Sequence, residues 1–313
     1  MSESGQQRAA HIRKSYTEES FEAAFPGINR RSKATHVPPD LEGVAPSEFL
    51  VGDSQGYDLG LDSCDDAQLN FRAIMALGLF NYGSHYGSIA APPAQWNLGV
   101  LTWYTIKVSP RWNRLVLITS APDNVMQRIV PDSFHASRTP GMRLLRSHGR
   151  TYVARHIPTG AEIVVTSRED GKSDGVHNPM ASRFLLMSDV PVSRREEEQL
   201  SSLPGMARNA RRLLAGLVTR MSMTDPRRKW STGNWYWDPL ERPESENRES
   251  GDTERRLWGE GYEWDIEWHG YPHPSDVAQS MTDPVVGLQG SRLGRNRNSY
   301  EVILGSSVLR VKK

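Results

Sequence analysis

The stretch from Arg150 to Ser167, RTYVARH-IPTG-AEIVVTS, decides the reading of the fold. Two runs rich in β-branched and aromatic residues flank Ile157-Pro158-Thr159-Gly160, a connection that holds both proline and glycine. That combination predicts a β-hairpin. Upstream, Gly99–Val108 and Arg114–Thr119 have the same composition and are separated by Ser109-Pro110; downstream, Phe184–Met187 adds a short strand. Strands at this spacing predict a central antiparallel body, sandwich or barrel-like, rather than βαβ units.

Two helices accompany it, making the expected class α+β. Ser63 with Asp66 three residues later reads as a capping-box variant opening a helix over 63–80, whose second half, AIMALGLF, is apolar on every side and predicts burial. Met206, Ala210, Leu213, Leu214, Leu217, Val218 and Met221 recur at helical spacing and predict an amphipathic helix over 204–223. Residues 1–60 alternate polar stretches with Pro26-Gly27 and Pro38-Pro39 and read as an extended N-terminal arm, anchored locally by Phe21, Phe25 and Ile28. The main β-rich domain then covers 61–229. Residues 230–313, packed on that domain, comprise a Trp-rich acidic segment, a glycine-rich basic turn at Gly290–Asn298 and a strand at Tyr300–Val311. No internal repeat stands out at solenoid or propeller periods.

The chain has 313 residues with a single cysteine, Cys64, which excludes an intrachain disulfide and a multi-cysteine zinc site. That usage fits a reducing compartment or a virion. No run reaches the roughly 18 apolar residues of a membrane span, and the polar stretch Met1–Arg13 carries no secretory signal.

Catalytic motifs are weak, and no cofactor is expected. Gly171-Lys172-Ser173 follows a strand, but Thr166 stands where a phosphate loop needs its first glycine. Glu263, Asp265 and Glu267 alternate with Trp264, Ile266 and Trp268, so a strand there would have an acidic face, a conceivable hard-cation site with His269 and His273 nearby. The more ordinary reading of that alternation is a half-buried strand with a solvated face. Cys64 begins a helix, where the dipole could lower its pKa.

Charge carries more information than motif. Against 38 Lys+Arg stand 37 Asp+Glu, but the balance is a cancellation of blocks. Residues 208–229 hold seven basic residues and one acid, 238–268 eleven acids and four arginines, and 292–313 six basic residues and one acid. Blocks of opposite sign suit contacts between subunits. Six tryptophans, Trp230, Trp235, Trp237, Trp258, Trp264 and Trp268, fall in the same region and are the expected interface residues, since tryptophan dominates binding hot spots.

The leading expectation is therefore a non-catalytic structural subunit of a large assembly, a viral capsid or coat-type shell protein being the most natural instance, contacting other copies or neighbouring subunits. One alternative is an RNA- or DNA-binding module using Arg208, Arg211, Arg212, Arg227, Arg228 and Lys229, together with the 292–313 block. Another is a hydrolase or transferase whose cleft is lined by Trp235, Trp237, Trp264, Glu263 and Asp265.

Overall fold

The computed structural model describes residues 4–28, 58–81, 105–131, 139–167, 185–233, 235, 239–240, 255–268, 270–296 and 299–312. In chain order the helices are α1 (Gly5–Thr17), α2 (Phe21–Ala24, continued by a 3-10 turn Phe25–Gly27), α3 (Asp66–Leu79), α4 (Pro122–Ile129), α5 (Arg194–Ser201), α6 (Arg208–Thr219) and α7 (Pro274–Thr282). The strands of the first sheet are β1 (Thr105–Arg111), β2 (Arg114–Thr119), β3 (Met142–His148), β4 (Thr151–His156) and β5 (Glu162–Thr166). Those of the second are β6 (Arg255–Glu260), β7 (Glu263–Trp268), β8 (Ser291–Asn296), β9 (Ser299–Leu304) and β10 (Ser307–Lys312).

The sheets run β1-β2-β5-β4-β3 and β6-β7-β10-β9-β8. In each, the second and fifth strands pair in parallel and every other neighbour is antiparallel. The α+β class holds. The sheets are mixed rather than purely antiparallel, and neither closes into a barrel among the described residues. The Arg150–Ser167 hairpin is β4–β5, with Thr151 opposite Thr166 and Arg155 opposite Glu162.

The order α3-β1-β2-α4-β3-β4-β5 recurs as α6-β6-β7-α7-β8-β9-β10, so the chain contains one unit twice. The correspondence extends to single hydrogen bonds. The backbone N–H of Asp65, N-cap of α3, donates to the carbonyl of Trp112 in the β1–β2 turn at 3.2 Å. That of Ala207, N-cap of α6, donates to Gly261 in the β6–β7 turn at 2.9 Å. Past the C-terminus of α3, Asn81 bonds both the N–H and the carbonyl of Leu257 in β6; past that of α6, the Ser222 hydroxyl accepts from the N–H of Val108 in β1. Val108 pairs with Leu117 as Leu257 pairs with Ile266. Each unit thus caps its own hairpin and ties the end of its first helix to the other unit's sheet.

Helices α3 and α6 pack against one another between the sheets. Their apolar faces, with the inner faces of both sheets, form one continuous core from Phe71 and Leu77 through Leu115, Ile163, Leu213 and Leu217 to Trp264, Leu309 and Val311. Both sequence-predicted helices are found, shorter at their ends. Asp65 rather than Ser63 caps the first, its carboxylate accepting from the Gln68 N–H, while Ser63 donates to Asp58.

Three expectations change. Residues 4–28 of the expected arm hold α1, α2 and the 3-10 turn: Ser4 and Gln7 form a reciprocal capping box, and Ala9, Ala10, Tyr16 and Ile28 join Met223, Trp230 and Val286 in a second cluster, with Phe21 and Phe25 against it. Strand β1 runs on through Pro110, which an edge strand tolerates because its missing N–H has no neighbour to bond. The stretch Gly290–Asn298 contains a strand, β8, and the expected single strand Tyr300–Val311 is a hairpin turning at Gly305, whose φ of 57° suits glycine.

Five buried arginines fasten the connecting segments to the two units. Arg13 forks onto Glu19 at 2.8 and 3.0 Å and reaches Pro110 of β1; Arg220 forks onto Asp62, both bonds 2.7 Å. Arg72 bonds the carbonyls of Leu61 and Arg111, and Arg255 that of Trp235. Arg143 of β3 holds Glu196 of α5. Planar guanidinium forks suit this work because each satisfies several acceptors from one direction.

Candidate interaction surface

The two units differ most on the outer faces of their sheets. In the first, Ser109, Val116, Val164, Val153 and Arg146 form one row across the strands. Val116, Val164 and Val153 are buried there with Ile118 and with Ala23 of α2, and Arg13 of α1 donates to the Ser109 hydroxyl. The N-terminal helices thus meet this face along β1 and place Ala23 in its apolar cluster. Registered identically, the second sheet has Trp258, Asp265, Arg310, Glu301 and Gly294. Where the first unit has three valines, the second has an acid, a base and an acid.

Those charges answer one another. Arg310 donates to Glu263 at 2.9 Å and lies 3.7 and 3.6 Å from Asp265 and Glu301; Lys312 pairs with Asp265. Hydrogen bonding to Glu263 raises the Arg310 pKa further, so the guanidinium stays charged. The Trp258 ring receives two cations, Arg256 at 4.7 Å and Lys312 at 5.3 Å from its centroid. A neighbouring row sets Arg256 beside Glu267 and Glu267 beside Lys312. None of these side chains is fully buried, and each exposed pair contributes about 0–1 kcal/mol, so this face does little for folding. The acidic and basic blocks seen in sequence meet here within one chain.

The other expected residues scatter. Trp230, Trp235, Trp264 and Trp268 are buried within the chain, Trp235 between Phe80 and Trp268. Of the six tryptophans, Trp258 is the one with a partly open ring among the described residues, and Trp237 lies outside them. Arg208 is at the start of α6 and exposed; Arg227, Arg228 and Lys229 are exposed in the segment beyond its C-terminal end. Arg211 is bonded to Asn70 and Arg212 to the Gln289 carbonyl. Among the basic residues of the nucleic-acid alternative, Arg208, Arg227, Arg228 and Lys229 are thus exposed, and Arg211 and Arg212 are partly buried and hydrogen-bonded within the chain.

Of the residues named for the hydrolase or transferase alternative, Glu263 and Asp265 face outward and Trp264 and Trp235 are in the core, so the described ones do not line a common cleft. No cluster of three metal-ligating side chains occurs among the described residues. Gly171-Lys172-Ser173, His269 and residues 241–254 of the acidic block lie outside them. Cys64 borders a small cleft between α3 and α6 lined by Asp62, Arg72 and Arg212; burial raises its thiol pKa, opposite to the effect expected from the helix dipole. His156, buried against Phe71 with its Nδ1 at 2.9 Å from Thr159, is pushed down to about 4 by burial and is neutral at neutral pH.

Signals for the missed elements were present. Ser193 and Glu196 form a capping box that opens α5, and Pro122 and Pro274 stand in the first turns of α4 and α7. Among the described residues no helix is long and apolar enough to cross a membrane. The chain matches no protein-family model, no curated protein and no solved structure. Its class is therefore stated by architecture: a duplicated α+β protein in which the outer face of one sheet is apolar and buried and that of the other charged and partly exposed.

Proposed function

We propose that this chain is a non-catalytic subunit of a larger assembly and that the outer face of its second sheet meets a neighbouring copy. The contrast between the units carries the reading: equivalent positions are apolar and buried in one, with Ala23 of α2 among them, and charged and partly exposed in the other. A face with both signs interspersed is compatible with a two-fold copy of itself, with acidic rows brought over basic ones. Trp258, held among cations at the edge of the ion-pair row, supplies the aromatic anchor. A shell or coat-type protein is the form of such a subunit that the sequence suggests.

Light scattering of the purified chain at low and high salt tests this. The expected result is a multi-copy particle at low salt that dissociates as salt rises, because exposed ion pairs are screened. Trp258→Ala should weaken association at least about tenfold without unfolding the chain. A monomer of about 35 kDa at both salt concentrations would remove the reading.

A further inference from the structure

The duplication also compares the two sheet edges. Leu144 of β3 pairs with Ala154, and Leu293 of β8 pairs with Val302; these are equivalent positions, as are Arg143 and Arg292 one residue earlier, which pair with Arg155 and Ile303. In the first unit the chain itself occupies the edge. The N–H of Leu144 donates to the Leu186 carbonyl at 2.8 Å, and Leu144 bridges Met187 in the parallel sense. Leu185 shares the core with Leu144. Beyond this short strand, Arg143 donates to the carbonyls of Val190 and Pro191 at 2.9 and 2.7 Å and forks onto both carboxylate oxygens of Glu196 at 2.8 Å. Extended apolar residues followed by an acidic helix start are thus what a β3-type edge binds.

The second unit presents the same edge with no such occupant among the described residues. Strand β8 ends its sheet. Leu293 is 48% exposed where Leu144 is 1% exposed, and Arg292 is exposed with no hydrogen bond or ion pair among the described residues where Arg143 has four partners. Because hydrogen-bonded and free positions alternate along an antiparallel pair, the equivalent register turns the Leu293 N–H, like that of Leu144, to the open side.

We propose that β8 is a strand-addition site for an extended segment of a partner protein, apolar where it pairs beside Leu293 and followed by a carboxylate that forks onto Arg292. Main-chain hydrogen bonds would supply affinity, and the Arg292–carboxylate pair register and specificity. The inference rests on the reading of the second unit as the partner-facing half, but it concerns the sheet's edge rather than its face.

The probe is a fluorescent peptide with the sequence of residues 185–201, titrated into the full chain. Saturable binding is expected. It should fall at least tenfold with Arg292→Glu and with Leu293→Asp, and with a peptide carrying Glu196→Lys against the parent chain. Pairing that peptide with the Arg292→Glu chain should restore it. Arg292 and Leu293 lie at the surface, so circular dichroism should show both variants folded. Equal binding of a scrambled peptide, indifference to both substitutions, or no binding at millimolar peptide would overturn the proposal. Trp258→Ala should leave the titration unchanged while weakening self-association, so a failed assembly reading and a failed edge site give different results.

Discussion

Arg143→Ala is expected to lower the unfolding free energy by about 3–5 kcal/mol in urea denaturation, because it leaves a buried carboxylate without its counter-charge. Glu196 and Arg143 are 3% and 0% exposed at their side chains, and among the described residues the other donors to that carboxylate are Ser193 and the Gly141 N–H. Such a loss is a large part of the roughly 5–15 kcal/mol that stabilises a typical domain. The position gives an internal control. Arg292→Ala, at the equivalent site of the second unit, removes an exposed side chain and should change stability by no more than about 0.5 kcal/mol.

The same pair fixes a pH dependence. Burial alone would raise the Glu196 carboxyl, but the Arg143 guanidinium, with the donors from Ser193 and Gly141, brings it down to about 2. A depressed folded-state pKa stabilises above the unfolded value, 4.5, and that contribution fades as pH falls through the folded value. Stability of the parent chain should therefore drop between about pH 4.5 and pH 2, and Glu196→Gln should flatten that limb of the profile.

Trp264→Ala should cost about 3–5 kcal/mol, the range for emptying a large aromatic site in a close-packed core. The indole is 0% exposed and packs across Gly259, where an added Cβ would come within 2.9 Å of the ring. Trp264 corresponds to Leu115 of the first unit, also buried in the common core. Leu115→Ala should fall in the overlapping range of about 2–5 kcal/mol. If Trp264 were instead an interface residue, its loss would change association and leave urea denaturation of the monomer nearly unchanged.

What the sequence made legible follows from what periodicity can encode. The hairpin β4–β5 and the apolar arcs of α3 and α6 are local patterns, readable because burial repeats every two residues or every three to four. The duplication is not local. Its halves share burial and register but not residue identity, as Val116, Val164 and Val153 against Asp265, Arg310 and Glu301 show, and connectors of different length separate their elements. The tryptophan cluster misled for a related reason. Composition marks a residue as able to anchor an interface, yet alternation along β7 turned Trp264, Ile266 and Trp268 inward and left the carboxylates outside. Charge segregation was read as complementarity between subunits, whereas the described ion pairs join acidic and basic residues of one chain. Parallel pairing of β7 with β10 satisfies much of it within the chain, and no sequence period predicts that pairing.

The central claim is that the second unit repeats the first with one edge unpaired among the described residues, and amide hydrogen exchange at two equivalent residues tests it most directly. In the full chain alone, the Leu144 N–H, bonded to Leu186, should exchange slowly and the Leu293 N–H rapidly. Adding the 185–201 peptide should slow Leu293 and leave Leu144 unchanged. A Leu293 amide already protected in the chain alone, or one that the peptide never slows, would contradict the account.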